Sequence, residues 1–391
     1  MIQFRQTAMK PPASFVWLFF AILVATTSPA AGQAKLLGLD SLPGATTSIP
    51  YGISSDGSVV VGSSPAYSNS NPAYWTVGQG WTSLTGLASS PRGNAYAASG
   101  NGSVVVGQSY DSTGIAAVRW SVETGVQDLG ALQPGIRQNV AYGVSDSGDV
   151  VVGFATSGSS HQGFRWTETD GMVGLGFLDG HDESRAYDVS ADGTAIVGVS
   201  SSSSSSITYQ AFRWTSDTGM ESLGQLASDG IGSVALAISS DGNVIAGYGR
   251  RLPGQHFEGF RWTAETGMVG IGDFPGGGHP NSVIRGMNHD GSIMVGDGED
   301  ETGIVAAIWD DTHGLRKLAS YAEEELGVDL GGWTLTSAFA ISDDGMRIVG
   351  NGYDPDGLYT GWILIVPEPG TSVFFFCLAG SLFFARRRSS V

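Results

Sequence analysis

The residues best suited to chemistry sit between apolar segments. His181, Asp182 and Glu183 are consecutive in "LDGHDESRA", and Arg250, Arg251 and His256 fall within "GRRLPGQHFE". Imidazole, carboxylate and guanidinium groups could together hold a polar ligand, and imidazole with carboxylates could hold a metal ion. Three adjacent side chains diverge unless their loop curls tightly, so these six residues are assigned to ligand binding and neither a metal nor a cofactor is expected. His161, His256 and His279 occupy corresponding loops of other repeats and read as solvated. No serine, cysteine or carboxylate pair stands in a recognisable catalytic setting, so no catalytic residue is assigned. An enzyme built from repeats would draw single acidic residues from separate units, a convergence that no linear motif displays.

Those loops punctuate a pattern that recurs seven times. Its front is "AYGVSDSGDVVVG" (Ala141 to Gly153), "AYDVSADGTAIVG" (Ala186 to Gly198), "ALAISSDGNVIAG" (Ala235 to Gly247) and "AFAISDDGMRIVG" (Ala338 to Gly350), with looser copies at Tyr51, Ala95 and Ile284. The turn glycines Gly57, Gly102, Gly148, Gly193, Gly242, Gly291 and Gly345 are spaced 45 to 54 residues apart. A tryptophan follows in each unit, from Trp75 to Trp362, and then a segment such as "GVQDLGAL" after a Thr-Gly turn.

Each unit therefore divides into four short apolar segments rich in β-branched and aromatic residues. Asp-Gly or a near equivalent joins the first two because those residues accept positive φ. Four antiparallel strands in such a length make the size of a propeller blade. The expected fold is an all-β, seven-bladed β-propeller over residues 35–366. The seventh unit has three strands, ending near Val366. "KLLGLDSL", Lys35 to Leu42, matches the missing fourth, so an N-terminal strand is expected to complete the last blade and leave no exposed edge.

The "S-x-D-G" turns could suggest calcium or sugar binding. They resemble the Asp-box of sialidases, but here glycine follows aspartate directly, which favours a plain hairpin turn. The recurring Arg-Trp pairs, such as Arg165-Trp166 and Arg213-Trp214, read as packing. With the first strand innermost, both tight turns of a unit share one face and the long loops the other. A ligand is expected on the long-loop face.

Both ends read as processing segments. Residues 1–34 carry Arg5 and Lys10, an apolar run, then "SPAAGQA": the order of a secretory signal peptide, with an N-terminal anchor as the alternative. Residues 367–391 hold Pro367-Glu368-Pro369, an apolar stretch and Arg386, Arg387 and Arg388. A short greasy segment before arginines lodges in a membrane with the arginines inside. All three parts resemble the PEP-CTERM sorting signal; a simple tail anchor is the alternative. The resemblance implies removal of the tail by an exosortase-type processing enzyme, transient membrane contact, and delivery to the outer surface or matrix of an exopolysaccharide-making Gram-negative bacterium. The units also resemble bacterial extracellular HAF-type repeats, through "GFRWT" (Gly163 to Thr167) and "AFRWT" (Ala211 to Thr215). That likeness implies an exported repeat protein and no particular chemistry.

Composition agrees with export. Asp and Glu number 37 against 19 Lys and Arg, a net charge of −18. A nucleic-acid partner, which requires a basic face, is excluded. The single cysteine, Cys377, lies in the tail, so packing and strand pairing must stabilise the repeats. The function these features support is a non-enzymatic surface or matrix protein that binds exopolysaccharide or another surface protein. The alternative is a secreted propeller glycosidase or lyase acting on polysaccharide. Three or more carboxylates with an aromatic platform in the central channel would favour the enzyme; small and apolar side chains there would favour the structural protein.

Overall fold

Apolar residues separated by glycine turns fold each repeat into an antiparallel meander of four short strands. The computed structural model describes residues 33–367, apart from 66–69, 89–90, 122, 136, 203–207, 227–231, 251–255 and 275–280. The signal and sorting segments fall outside these residues, save for Gln33, Ala34 and Pro367. One repeat illustrates the rest: Val140–Val144, Val151–Ser157, Ser160–Thr167 and Gly171–Gly174 pair in succession.

The first turn of that repeat closes with the Ser145 N–H on the Val150 carbonyl and the Gly148 N–H on the Ser145 carbonyl, both 2.9 Å. Gly148 has φ 79° and its six equivalents have φ 66° to 76°, the region where only glycine is unstrained. The turn aspartates bond within their own turns: Asp56 accepts from Ser54 Oγ at 2.7 Å and from the Ser58 N–H at 2.9 Å. These are hairpin turns, as their sequence suggests.

The seven repeats form six sheets, not seven. The repeats over 183–222 and 232–270 merge into one eight-stranded sheet through a single parallel bridge, Tyr209 to Gly232. Another sheet gains a fifth strand, Arg137–Gln138, parallel to Gly114–Ser121. One insertion departs from the pattern: Leu318–Ser320 and Tyr321–Glu325 form a short helical segment that places Leu318 and Ala322 in the adjacent core.

The last repeat is completed from the other end of the chain. Lys35–Gly38 pairs antiparallel with Tyr359–Ile365, from Lys35 opposite Ile365 to Gly38 opposite Trp362. The Leu39 N–H continues the ladder to the Gly361 carbonyl at 2.8 Å. The strand stops four residues short of Leu42, yet Leu39 is only 2% exposed.

Among the described residues the core is divided into separate clusters. Apolar clusters fill the spaces between successive repeats: Val106, Ala117 and Leu129 pack on Ala141, Val151 and Phe164 of the next. The same arrangement joins the last repeat to the first, where Val349 and Ile363 meet Val60, Ala73 and Trp75. The first strands contact one another in order, and Thr334–Ile341 contacts Ile49–Ile53 to close the circle.

Candidate functional site

In all seven repeats the first strand slips register by one residue at the same point. A β-bulge of this kind leaves one residue without a cross-strand partner and re-aims its side chain. The unpaired residues are Tyr51, Tyr96, Tyr142, Tyr187, Leu236, Arg285 and Phe339, and all seven line one cavity of about 470 Å³. Glycine permits the bulge. The second-strand glycines Gly62, Gly107, Gly153, Gly198, Gly247, Gly296 and Gly350 each lie against a first-strand carbonyl, so a Cβ there would collide with backbone.

Five of the ring residues form a continuous aromatic arc. Centroid distances are 6.3 Å for Phe339–Tyr51, 5.2 Å for Tyr51–Tyr96, 5.0 Å for Tyr96–Tyr142 and 5.5 Å for Tyr142–Tyr187. Such tilted pairs suit the aromatic quadrupole. Burial keeps the phenols neutral, pushing Tyr142 up to about 12 and Tyr96 higher still. Leu236 and Arg285 complete the circle; the Arg285 guanidinium lies 5.6 Å from the Phe339 ring centre and is ion-paired with Asp297.

The residue after each bulge is small in six repeats: Gly52, Ala97, Gly143, Ala237, Gly286 and Ala340. In the fourth it is Asp188. One Asp188 oxygen accepts the Val189 N–H at 2.8 Å, the other the Ile238 N–H of the following repeat at 2.9 Å. Desolvation pushes this carboxyl up to about 7, with the charge of Asp343 adding to the rise. Its remaining exposure is to the cavity it lines.

The turn residues make a collar on the same side of the ring. Asp56, Gly100, Asp146, Ala191, His289 and Asp343 each donate a backbone N–H to the next repeat's turn, at 2.9 to 3.2 Å, with Asp343 reaching Ser55 of the first repeat. Side chains bridge further: Ser55 Oγ donates to Asp146 at 2.6 Å and Ser240 Oγ to Asp343 at 2.8 Å. The cavity thus runs from the aromatic ring to the tight turns. It holds three carboxylates (Asp146, Asp188 and Asp343) as well as an aromatic wall.

The residues chosen from sequence do not converge there. His181 sits 3.1 Å from Ser200 Oγ and 3.5 Å from Thr208 Oγ1. Glu183 accepts from Ser160 Oγ at 3.1 Å, and His161 lies 4.0 Å from it. Asp182 is exposed and donates its N–H to the Ser201 carbonyl at 3.1 Å. Arg250 stacks 4.5 Å over Phe257, its cross-strand partner in the same repeat, and His256 is half-buried beside Phe257 in sequence. Arg251, Glu368, Pro369 and Arg386 to Arg388 lie outside the described residues. Among the described residues no three His, Cys, Asp or Glu side chains form a group able to hold a metal. Neither the aromatic ring nor Asp188 is singled out by the sequence reasoning, although tyrosine at one fixed repeat position, opposite a fixed glycine, is a usable signal.

No protein-family model matches the chain, and no curated protein does. Solved structures do. An oligogalacturonate lyase in complex with manganese is 15% identical with a TM-score of 0.52, covering 86% of this chain and 98% of that one. The β-propeller domain of the trilobed protease from Pyrococcus furiosus, described as having an open velcro topology, is 12% identical with a TM-score of 0.52 over 85% and 94%. TolB from Acinetobacter baumannii is 14% identical with a TM-score of 0.46, and the chain spans only 63% of its length. At such identities the likeness reaches the fold alone: this chain is an all-β protein of β-propeller architecture.

Proposed function

We propose that this protein is an exported seven-bladed β-propeller, the merged sheet counting as two blades, which binds a saccharide chain at the cell surface without transforming it. The signal segment directs export, and an exosortase-type enzyme removes the tail at the surface of a Gram-negative bacterium. The observation that carries the binding role is the arc of five aromatic rings, Phe339 through Tyr187, along a cavity of about 470 Å³. Flat aromatic faces suit the C–H faces of sugar rings, and the volume lies in the range of small-molecule sites. The aromatic side chains and the tight-turn location favour this cavity over the long-loop residues His181 to Glu183. Glycan-array binding by the purified protein tests the reading: signal on saccharides that falls at least about tenfold in Tyr96→Ala supports it. Binding that ignores that substitution would discard the cavity as the site.

A second reading is a polysaccharide-active enzyme. Three carboxylates beside an aromatic platform favour it, and Asp188, held near 7, is suited to general acid–base work. The uronate substrate of the lyase-like neighbours does not transfer readily, because it is anionic and Arg285 is already paired with Asp297. Incubation with bound saccharides separates the readings: new reducing ends or unsaturated products, lost in Asp188→Asn, would establish the enzyme.

A further inference from the structure

The electrostatics of the cavity narrow the ligand class, an inference that rests on the saccharide-binding reading. Three aspartates line the cavity on three different repeats, and the one arginine is turned to Asp297 and the Phe339 ring. Asp188 is also the one acidic residue among seven positions that are otherwise glycine or alanine. Its two oxygens are held by the N–H groups of Val189 in its own strand and of Ile238 in the following repeat, neither of which supplies a counter-cation. An electron-rich aromatic wall attracts cations across ring faces, and carboxylates in a partly enclosed cavity act in a lower dielectric than bulk water.

We propose that the axial cavity binds an amine-bearing saccharide, its ammonium group lodged between the tyrosine arc and the carboxylates of Asp188, Asp146 and Asp343. A neutral acetamido sugar satisfies the rings but not the carboxylates, and a uronate meets like charge.

Two oligosaccharides differing only in the amine provide the test: a β-1,4-linked glucosamine tetramer and its fully N-acetylated counterpart, titrated into the full chain at pH 7 by calorimetry. The free-amine tetramer should bind at least about tenfold more tightly, equivalent to about 1.4 kcal/mol. Added salt should weaken it more than its counterpart, and Asp188→Asn should erase the difference. Asp188→Ser, which keeps a small side chain, provides a second variant if Asn disturbs folding. Equal binding of the two sugars, or preference for the acetylated one, would overturn the amine inference and leave saccharide binding standing. Binding of neither would remove the saccharide reading itself. An amine preference that survives both Asp188 variants would place the cation elsewhere.

Discussion

The carbonyl oxygen of Val140 occupies the space where a Cβ on Gly153 would have to go. Gly153 stands opposite Ala141, immediately before the slip in register that leaves Tyr142 unpaired. The bulge and the glycine are therefore one device, repeated in every unit, and the ring of cavity-facing side chains depends on it.

Gly153→Ala should destabilise the protein by about 3 kcal/mol or more, because the clash is with backbone and no rotamer relieves it. Gly158→Ala is the control: its φ of 66° carries a strain cost, but nothing lies within 4 Å of an added Cβ. Chemical denaturation of both variants measures the difference. Equal midpoints would show that the bulge can relax.

Deleting residues 35–42 removes the ladder to Tyr359–Ile365 and the buried Leu39. A few hydrogen bonds at roughly 1 kcal/mol each, with burial of about 2 kcal/mol for one leucine, predict a fall in Tm on the order of 10 °C. The bared edge of 359–365 should also promote self-association, visible by light scattering. An unchanged melting curve would mean the strand contributes nothing to closure.

Asp188 should print a pH dependence on stability. Its folded pKa, about 7, lies above the ordinary carboxyl value of 3.8. The folded state therefore holds a proton that the unfolded state has lost. Stability should fall as pH rises from about 4 to 7, by up to about 1.4 kcal/mol per pH unit. His161, whose pKa is lowered by burial and by Arg185, acts in the opposite sense, losing stability as pH drops below 6.5. Comparison of Asp188→Asn with the parent isolates the first effect: the stability gap between them should narrow or reverse as pH rises. Parallel curves would mean Asp188 titrates normally.

In the native host, alanines at Pro367, Glu368 and Pro369 should leave the precursor at full length, detected by immunoblot of the envelope fraction. Normal maturation would reject the sorting role of the tail.

The sequence makes the framework legible and the site obscure, for physical reasons. Turn glycines such as Gly148 declare themselves, since positive φ restricts the residue type. The missing fourth strand is visible because Leu36 and Leu39 repeat a pattern seen in complete units. The bulge is hidden: an uninterrupted alternation would turn Tyr142 and Asp188 to opposite faces from their observed neighbours, and a one-residue slip has no propensity signature. Sheet count is equally illegible, since one bridge at Tyr209 merges two repeats. His181 and Arg250 attract notice by residue type alone, yet the fold assigns them to separate local contacts with Ser200 and Phe257.

Pairing Lys35 with Ile365 also sets an order of events. The first strand of the described chain is the one whose neighbour is synthesised last. Until residue 365 has been delivered, Lys35–Gly38 has no mate and the circle stays open. Final locking is thus a checkpoint for completeness: a truncated product, however well its early repeats have folded, keeps a raw margin at each end.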